Sequence, residues 1–247
     1  MSRLLAIVVA IVAYAIFFAT FLYLVVFVGD FSFATLTVDH GPGGPPLTAA
    51  LVDIGLIALF GLQHSVMARQ GFKRWWTRIV PAPIERSVFV LATSIVLIVI
   101  FLLWRPIHPI VWDVTRPAFK QVLWALFWVG WLTVLISTFF INHFELFGLQ
   151  QAWLHYHQRE AEPPQLREPG LYQWVRHPIY LGFFFAFWAI PTMTVGHLLL
   201  AIGLSVYMLI GIWLEERDLV AFHGAAYHDY RGRVGMLIPR LRRRSAG

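Results

Sequence analysis

Cysteine is absent from the 247 residues. That excludes a disulfide framework and a thiolate metal site, and any thiol chemistry must use a thiol from outside the protein. Charge is scarce too: 13% of residues are Asp, Glu, Lys or Arg against 59% hydrophobic ones, and the mean hydropathy is +0.68. One soluble core of this length needs far less apolar material. Acidic residues are the rarer sign, 13 against 19 basic ones, for a net charge of +6. In a soluble protein that surplus suggests nucleic acid. Here the basic residues lie in loops beside apolar runs, which points to an anionic membrane surface and to no nucleic-acid partner. No internal repeat or low-complexity tract stands out beyond a basic tail. The inverted repeat and charged mid-membrane track of a transporter are also missing.

What is present is a series of apolar stretches: Leu4–Val28, Leu47–Met67, Ser87–Trp104, Phe119–Ile141, Ile179–Thr194 and Val195–Leu214. The first four match the ~20 residues that cross a bilayer core. The last two share one run that Pro191 and Gly196 break, which predicts a short helical hairpin; a single long helix is the alternative. The first stretch follows Arg3, exceeds a signal-peptide core and has no small-residue cleavage site after it, so it reads as an uncleaved anchor. With six crossings and a cytoplasmic N-terminus, sixteen of the nineteen basic residues fall inside. They are Arg3; Arg69, Lys73, Arg74, Arg78 and Arg86; Arg159, Arg167 and Arg176; and Arg217, Arg231, Arg233, Arg240, Arg242, Arg243 and Arg244. Only Arg105, Arg116 and Lys120 fall outside. This bias predicts both termini in the cytoplasm, and a five-helix count would put the Arg-rich tail on the wrong side. The fold class expected is thus an all-α integral membrane protein of about six spans. Residues 1–141 would form a four-helix transmembrane part, and 142–247 a cofactor-binding part within one domain.

This topology gathers the polar residues at one face. Gln63, His64 and Ser65 end the second stretch, Glu85 and Arg86 begin the third, and Asn142, His143 and Glu145 follow the fourth. Arg176 and His177 precede the fifth, and Glu215 and Glu216 close the sixth. A hairpin turning near residue 195 sets Glu215 level with Val175 and Arg176. Charge at a membrane edge is costly, so a matched set of both signs is a functional expectation. Each member also has a plainer use: Arg176 as a positive-inside anchor, Pro178 as a first-turn proline, the glutamates as partners of Arg217. A lone histidine such as His64 or His143 is more often a satisfied polar residue than a base. His155-Tyr156-His157 and His223 with His228 fit no closed ligand spacing, so no metal is expected. Asp53 is expected to bond a neighbouring helix. The loop Asp39-His40-Gly41-Pro42-Gly43-Gly44-Pro45-Pro46 reads as stiff and chemically inert.

The run Gly170-Leu171-Tyr172-Gln173-Trp174-Val175-Arg176-His177-Pro178-Ile179-Tyr180-Leu181-Gly182 resembles the cofactor motif of integral-membrane methyltransferases, which include the isoprenylcysteine carboxyl methyltransferases and phospholipid N-methyltransferases. Glu215-Glu216 and the tail from Phe222 to Tyr230, with Val234 and Ile238-Pro239, follow in the order and spacing of that pattern. The segments Phe60–Arg69, Pro83–Ser87 and Asn142–Leu149 are similar to the bacterial methanethiol S-methyltransferases. That resemblance extends over nearly the whole chain. It implies S-adenosylmethionine as cofactor, methanethiol as the small thiol acceptor, dimethyl sulfide as product, and a bacterial inner-membrane location with the site facing cytoplasm and inner leaflet.

For such chemistry, the helix start at His177-Pro178 offers free N–H groups to a carboxylate, and Arg176 a bidentate contact. Glu215 or Glu216 can accept from ribose hydroxyls or the ammonium. Tyr172 and Tyr180 present flat faces to the adenine, and Gly182 permits close approach of backbone or adenosine. The attacking thiolate can arise in two ways that the sequence leaves open: proton removal by His64 or His143, or electrostatic lowering of the thiol pKa by Arg86. Two other readings stand beside this one. One is a phospholipid or prenylcysteine methyltransferase with the same cofactor site. The other is a non-catalytic, denitrification-associated membrane accessory protein.

Overall fold

A computed structural model describes residues 1–160 and 166–240; Arg242, Arg243 and Arg244 of the basic tail lie outside them. The helices are α1 (Arg3–Gly29), α2 (Pro46–Ala68), α3 (Gln70–Trp76), α4 (Ala82–Leu103), α5 (Pro117–Ile141), α6 (His143–Leu146), α7 (Leu149–Tyr156), α8 (Pro178–Trp188), α9 (Val195–His223) and α10 (Ala225–Arg233). A 3-10 turn spans Gly170–Gln173, and strands β1 (Ile110–Asp113) and β2 (Thr192–Thr194) pair antiparallel. Four helices, α2, α4, α5 and α8, open with proline in the first two positions. There its missing N–H has no helical acceptor to lose and its fixed φ suits the first turn.

Five helices (α1, α2, α4, α5 and α9) are long and apolar enough to cross a membrane. The chain is an all-α multi-pass membrane protein. The predicted hairpin is present, but its first arm is shorter than expected. Of Ile179–Thr194, only the stretch to Trp188 is helical, and eleven residues reach about 16 Å at 1.5 Å each, half of the ~30 Å core. The remainder is extended, because β2 meets a partner in β1, with Ile110 opposite Thr194 and Asp113 opposite Thr192. Around the break the Val114 N–H donates to the Pro191 carbonyl at 3.0 Å and the Gly196 N–H to that of Ile107 at 3.0 Å.

The core lies between α1, α4, α5, α8 and α9, where Phe27, Phe101, Trp104, Phe127, Phe187 and Met193 are buried. Large apolar side chains on the outer helix faces, such as Leu4, Ile11, Leu132 and Ile210, are exposed as lipid contact requires. α8 packs along α5 through two glycines. A Cβ on Gly182 would stand 2.6 Å from the Gly130 carbonyl oxygen, and one on Gly130 would stand 2.6 Å from that of Gly182. Small residues at such a crossing let two backbones touch.

The end of the molecule away from Arg176 is closed by polar loops. The Trp104 indole donates to the Val38 carbonyl at 3.0 Å, and the Thr194 hydroxyl to Asp39 at 2.5 Å. His40 and Thr37 both meet the Asp30 carboxylate. Asp53 accepts from the Arg105 N–H at 2.9 Å, so its partner is the backbone just beyond α4 rather than a helical side chain.

Candidate functional site

α9 continues past its apolar part and carries Glu215 and Glu216 beside the start of α8. Glu216 is buried. It accepts from Arg176 Nε at 2.7 Å and Nη2 at 2.6 Å, from His177 Nε2 at 3.1 Å, and pairs with Arg231 Nε at 3.3 Å. The third nitrogen of Arg176 donates to the Val234 carbonyl at 2.6 Å and the Arg231 carbonyl at 3.4 Å. Every nitrogen of this buried guanidinium is therefore committed within the protein. Arg176 fixes Glu216 and the tail, and has no free fork to offer a ligand.

Glu215 is the available carboxylate. Its side chain is 46% exposed and one oxygen accepts from the Tyr180 hydroxyl at 3.1 Å, with His177 Nδ1 at 3.9 Å. The N-terminus of α8 has no side-chain cap, and Pro178 is fully buried at its first position. The tail latches this region. The Arg176 and His177 N–H groups donate to the Gly235 and Met236 carbonyls at 2.8 and 3.2 Å, and the Tyr230 hydroxyl donates to the Tyr172 carbonyl at 2.7 Å. The reversal that brings α10 back requires Gly224, whose φ of 55° no side chain adopts without strain. Burial and the Glu215 charge raise the Tyr172 phenol pKa. Burial and the Glu216 charge push that of Tyr227 up to about 12. Both tyrosines stay neutral donors at physiological pH. A cavity of about 270 Å³ lies between α9 and α10, lined by Trp213, Glu216, Arg217, Val220 and Arg231.

His64 sits one layer deeper, in a wall of rings: Phe60 at 5.5 Å, Phe89 at 4.9 Å and Tyr207 at 6.2 Å between centroids. Its Nδ1 is 3.3 Å from the Thr93 hydroxyl. Arg86 stacks over Phe89, 4.8 Å from its centroid, and donates to the Leu146 carbonyl at 2.7 Å. Tyr207 bridges the two groups, since it lies on the α9 stripe that continues through Gly211 to Glu215. A Cβ at Gly211 would be 3.4 Å from the Tyr180 oxygen. The α2–α9 seam is fastened further out by the Arg69–Asp218 ion pair at 2.9 Å.

The predicted residues therefore separate into groups. Tyr172, Arg176, His177, Pro178, Tyr180, Glu215 and Glu216 meet at the start of α8, and His64 and Arg86 flank Phe89 nearby. Gly182 faces α5, so of the two uses open to it the structure displays the backbone approach. His143 stands apart: both ring nitrogens are engaged, by the Tyr14 hydroxyl at 2.8 Å and the Thr138 hydroxyl at 2.8 Å. It stacks on Phe139 at 4.2 Å, and burial lowers its pKa. Sequence reasoning missed Tyr207, Thr93, Phe89 and Arg231. The i, i+4, i+8 stripe of Tyr207, Gly211 and Glu215 is the signal that marks the first of them.

The profile of the NnrU protein family matches residues 53–237, a span that holds every one of these predicted residues. The chain is 51% identical to the methanethiol S-methyltransferase of Mycobacterium tuberculosis over 97% of this chain and 98% of that protein. The chain belongs to the NnrU family, among its methanethiol S-methyltransferases. The enzyme of that name from Crocosphaera subtropica is 44% identical over 99% of this chain and 96% of its own. The one from Pseudomonas deceptionensis is 53% identical over 84% and 79%. No solved structure matches the chain.

Proposed function

We propose that the chain transfers the methyl group of S-adenosylmethionine to the sulfur of methanethiol, giving dimethyl sulfide. The observation that carries this reading is the 51% identity over almost the full length of both chains to a methanethiol S-methyltransferase. The reading also assigns one domain, a bacterial cytoplasmic membrane and a site open to the cytoplasm and inner leaflet. The basic residues at the site's end of the molecule support that orientation.

The donor fits the residues present. Half-exposed Glu215 keeps a carboxylate oxygen free of donors among the described residues, suited to an ammonium or a ribose diol. The uncapped start of α8 offers N–H groups to a carboxylate. Tyr172 and Tyr180 supply flat faces, with their hydroxyls neutral. When bound, the donor supplies an electrophilic methyl group on a sulfonium. The protein holds Glu215 in place through Tyr180, and holds the α8 start through Arg176, Glu216 and the tail.

On the acceptor side, the rings of Phe60, Phe89 and Tyr207 exclude water and admit a small apolar thiol. His64 takes the thiol proton, and Arg86, one ring away, offsets the thiolate charge. His143 is assigned a structural role, because its lone pair and N–H are both in use. For an in-line displacement, alignment of this kind can contribute ~7–11 kcal/mol. Cells expressing the chain and fed methanethiol should release dimethyl sulfide into the headspace. If such cells instead methylate phospholipid or a prenylcysteine and release no dimethyl sulfide, the acceptor assignment fails.

A further inference from the structure

His64 can serve as a base only if one particular nitrogen carries the lone pair, and its neighbours on α4 decide which. The Thr93 hydroxyl has one proton and three polar neighbours. It donates to the Phe89 carbonyl one turn earlier, at 3.0 Å. Gln63 Nε2 donates to it at 3.4 Å, and His64 Nδ1 stands 3.3 Å away. With its proton placed on the closer acceptor, the carbonyl one turn back on the same helix, the oxygen presents lone pairs to the other two. Nδ1 must then bring a proton, since two facing lone pairs at that distance would repel. Nε2 makes no hydrogen bond among the described residues, and the ring as a whole is only partly buried.

We infer that Thr93 is a positioning residue which holds His64 as the Nδ1–H tautomer and so leaves the Nε2 lone pair to receive the acceptor's proton. The inference rests on the proposed role of His64. The proton passes from the thiol sulfur to Nε2, and the S–H electron pair stays on sulfur as the nucleophile. The resulting imidazolium keeps its Nδ1–H bond to Thr93 throughout, so that step needs no rotation of the ring. Gln63 acts with Thr93, because its amide donates to the same oxygen and discourages the hydroxyl from turning toward Nδ1. Arg86 lies over the Phe89 ring that packs against His64, and the Tyr207 phenol faces it from α9.

Two measurements on the full-length protein in detergent test this. The first is 15N NMR of histidine-labelled protein, with the His64 signals found by subtracting the spectrum of His64→Ala. A pyrrole-type shift at Nδ1 and a pyridine-type shift at Nε2 are expected; the reverse pattern overturns the inference whether or not His64 is the base. The second is a kinetic cycle of Thr93→Val, Thr93→Ser and His64→Ala, with donor binding by calorimetry as the check on folding. Thr93→Val should lower kcat about 3- to 10-fold, the weight of one neutral hydrogen bond, with donor Kd unchanged. Thr93→Ser should restore it, and Thr93→Val should cost nothing further in the His64→Ala background. An unaffected Thr93→Val beside a crippled His64→Ala removes the positioning role alone. A His64→Ala variant with wild-type turnover removes the base, and the inference with it.

Discussion

Glu215 and Glu216 are adjacent in sequence, yet the structure predicts opposite consequences for their loss. Glu216 is buried with two short bonds to Arg176, a third to His177 and a contact to Arg231. Glu216→Ala leaves the Arg176 guanidinium buried with only carbonyl partners. Removing one member of a buried pair costs about 3–5 kcal/mol, because the other charge stays desolvated. Unfolding of the tail and the α8 start should therefore occur at a clearly lower temperature in detergent. Glu215 is half-exposed with one neutral partner, so Glu215→Ala should leave the melting temperature within about 1 °C, as surface changes do. What it loses is a charge-assisted bond to the donor, worth about 1.5–3 kcal/mol, or 10- to 150-fold in Kd. Solvent access argues for the lower end, near 10-fold. Thermal unfolding of the two variants, paired with titration calorimetry of S-adenosylmethionine, separates the roles. Equal melting temperatures for Glu215→Ala and Glu216→Ala, or wild-type donor affinity in Glu215→Ala, would refute this division.

His64→Ala should bind the donor normally and lose turnover by ~10²–10⁴-fold. The deficit should shrink as pH approaches the free thiol's pKa, which a pH–rate profile records. His143→Ala should instead reduce thermal stability while kcat stays within a few-fold of wild type, since its ring joins α1 to α5 through Tyr14 and Thr138. Gly182→Val should prevent α8 from seating on α5, because the added Cβ meets backbone that cannot yield; loss of folded protein in detergent size-exclusion chromatography checks this. Asp39 is raised to about 6 by burial, against 3.8 ordinarily, so its ionisation opposes folding above that pH. The Asp39 contribution to stability should rise as pH falls from about 6 to 4 and level off below. Asp39→Asn should remove this contribution, making the slope of melting temperature across the range shallower, and be at least as stable as wild type at pH 8.

Much of this arrangement could be read from the chain. The helix starts are written in Pro46, Pro83, Pro117 and Pro178, and the mirror about residue 195 set Glu215 beside Arg176. The observed partner is Glu216, one residue on, because α8 begins at Pro178 and the turn is extended rather than helical. The extended form of that turn was not legible, since β2 owes its conformation to β1, some eighty residues earlier, and three-residue strands carry no period of their own. The tail's hold on Arg176 was hidden for a similar reason: it runs through backbone carbonyls of Val234, Gly235 and Met236, which no side-chain pattern marks. Gly182 was ambiguous because a glycine needed by a ligand and one needed by a facing helix look alike until Gly130 is found opposite. His64 and His143 likewise read almost alike, His64 favoured only slightly by Gln63, Ser65 and Arg86 around it. Only the surroundings separate them, two hydroxyls closing off His143 against three rings and one open nitrogen at His64.

The most direct test of the central claim uses the purified full-length protein in lipid nanodiscs, with methyl-labelled S-adenosylmethionine and methanethiol in a sealed vial. Headspace gas chromatography should find labelled dimethyl sulfide, formed in equal amount to the S-adenosylhomocysteine left in solution. Labelled nanodisc lipid with no labelled dimethyl sulfide, or no consumption of donor at all, would contradict the account.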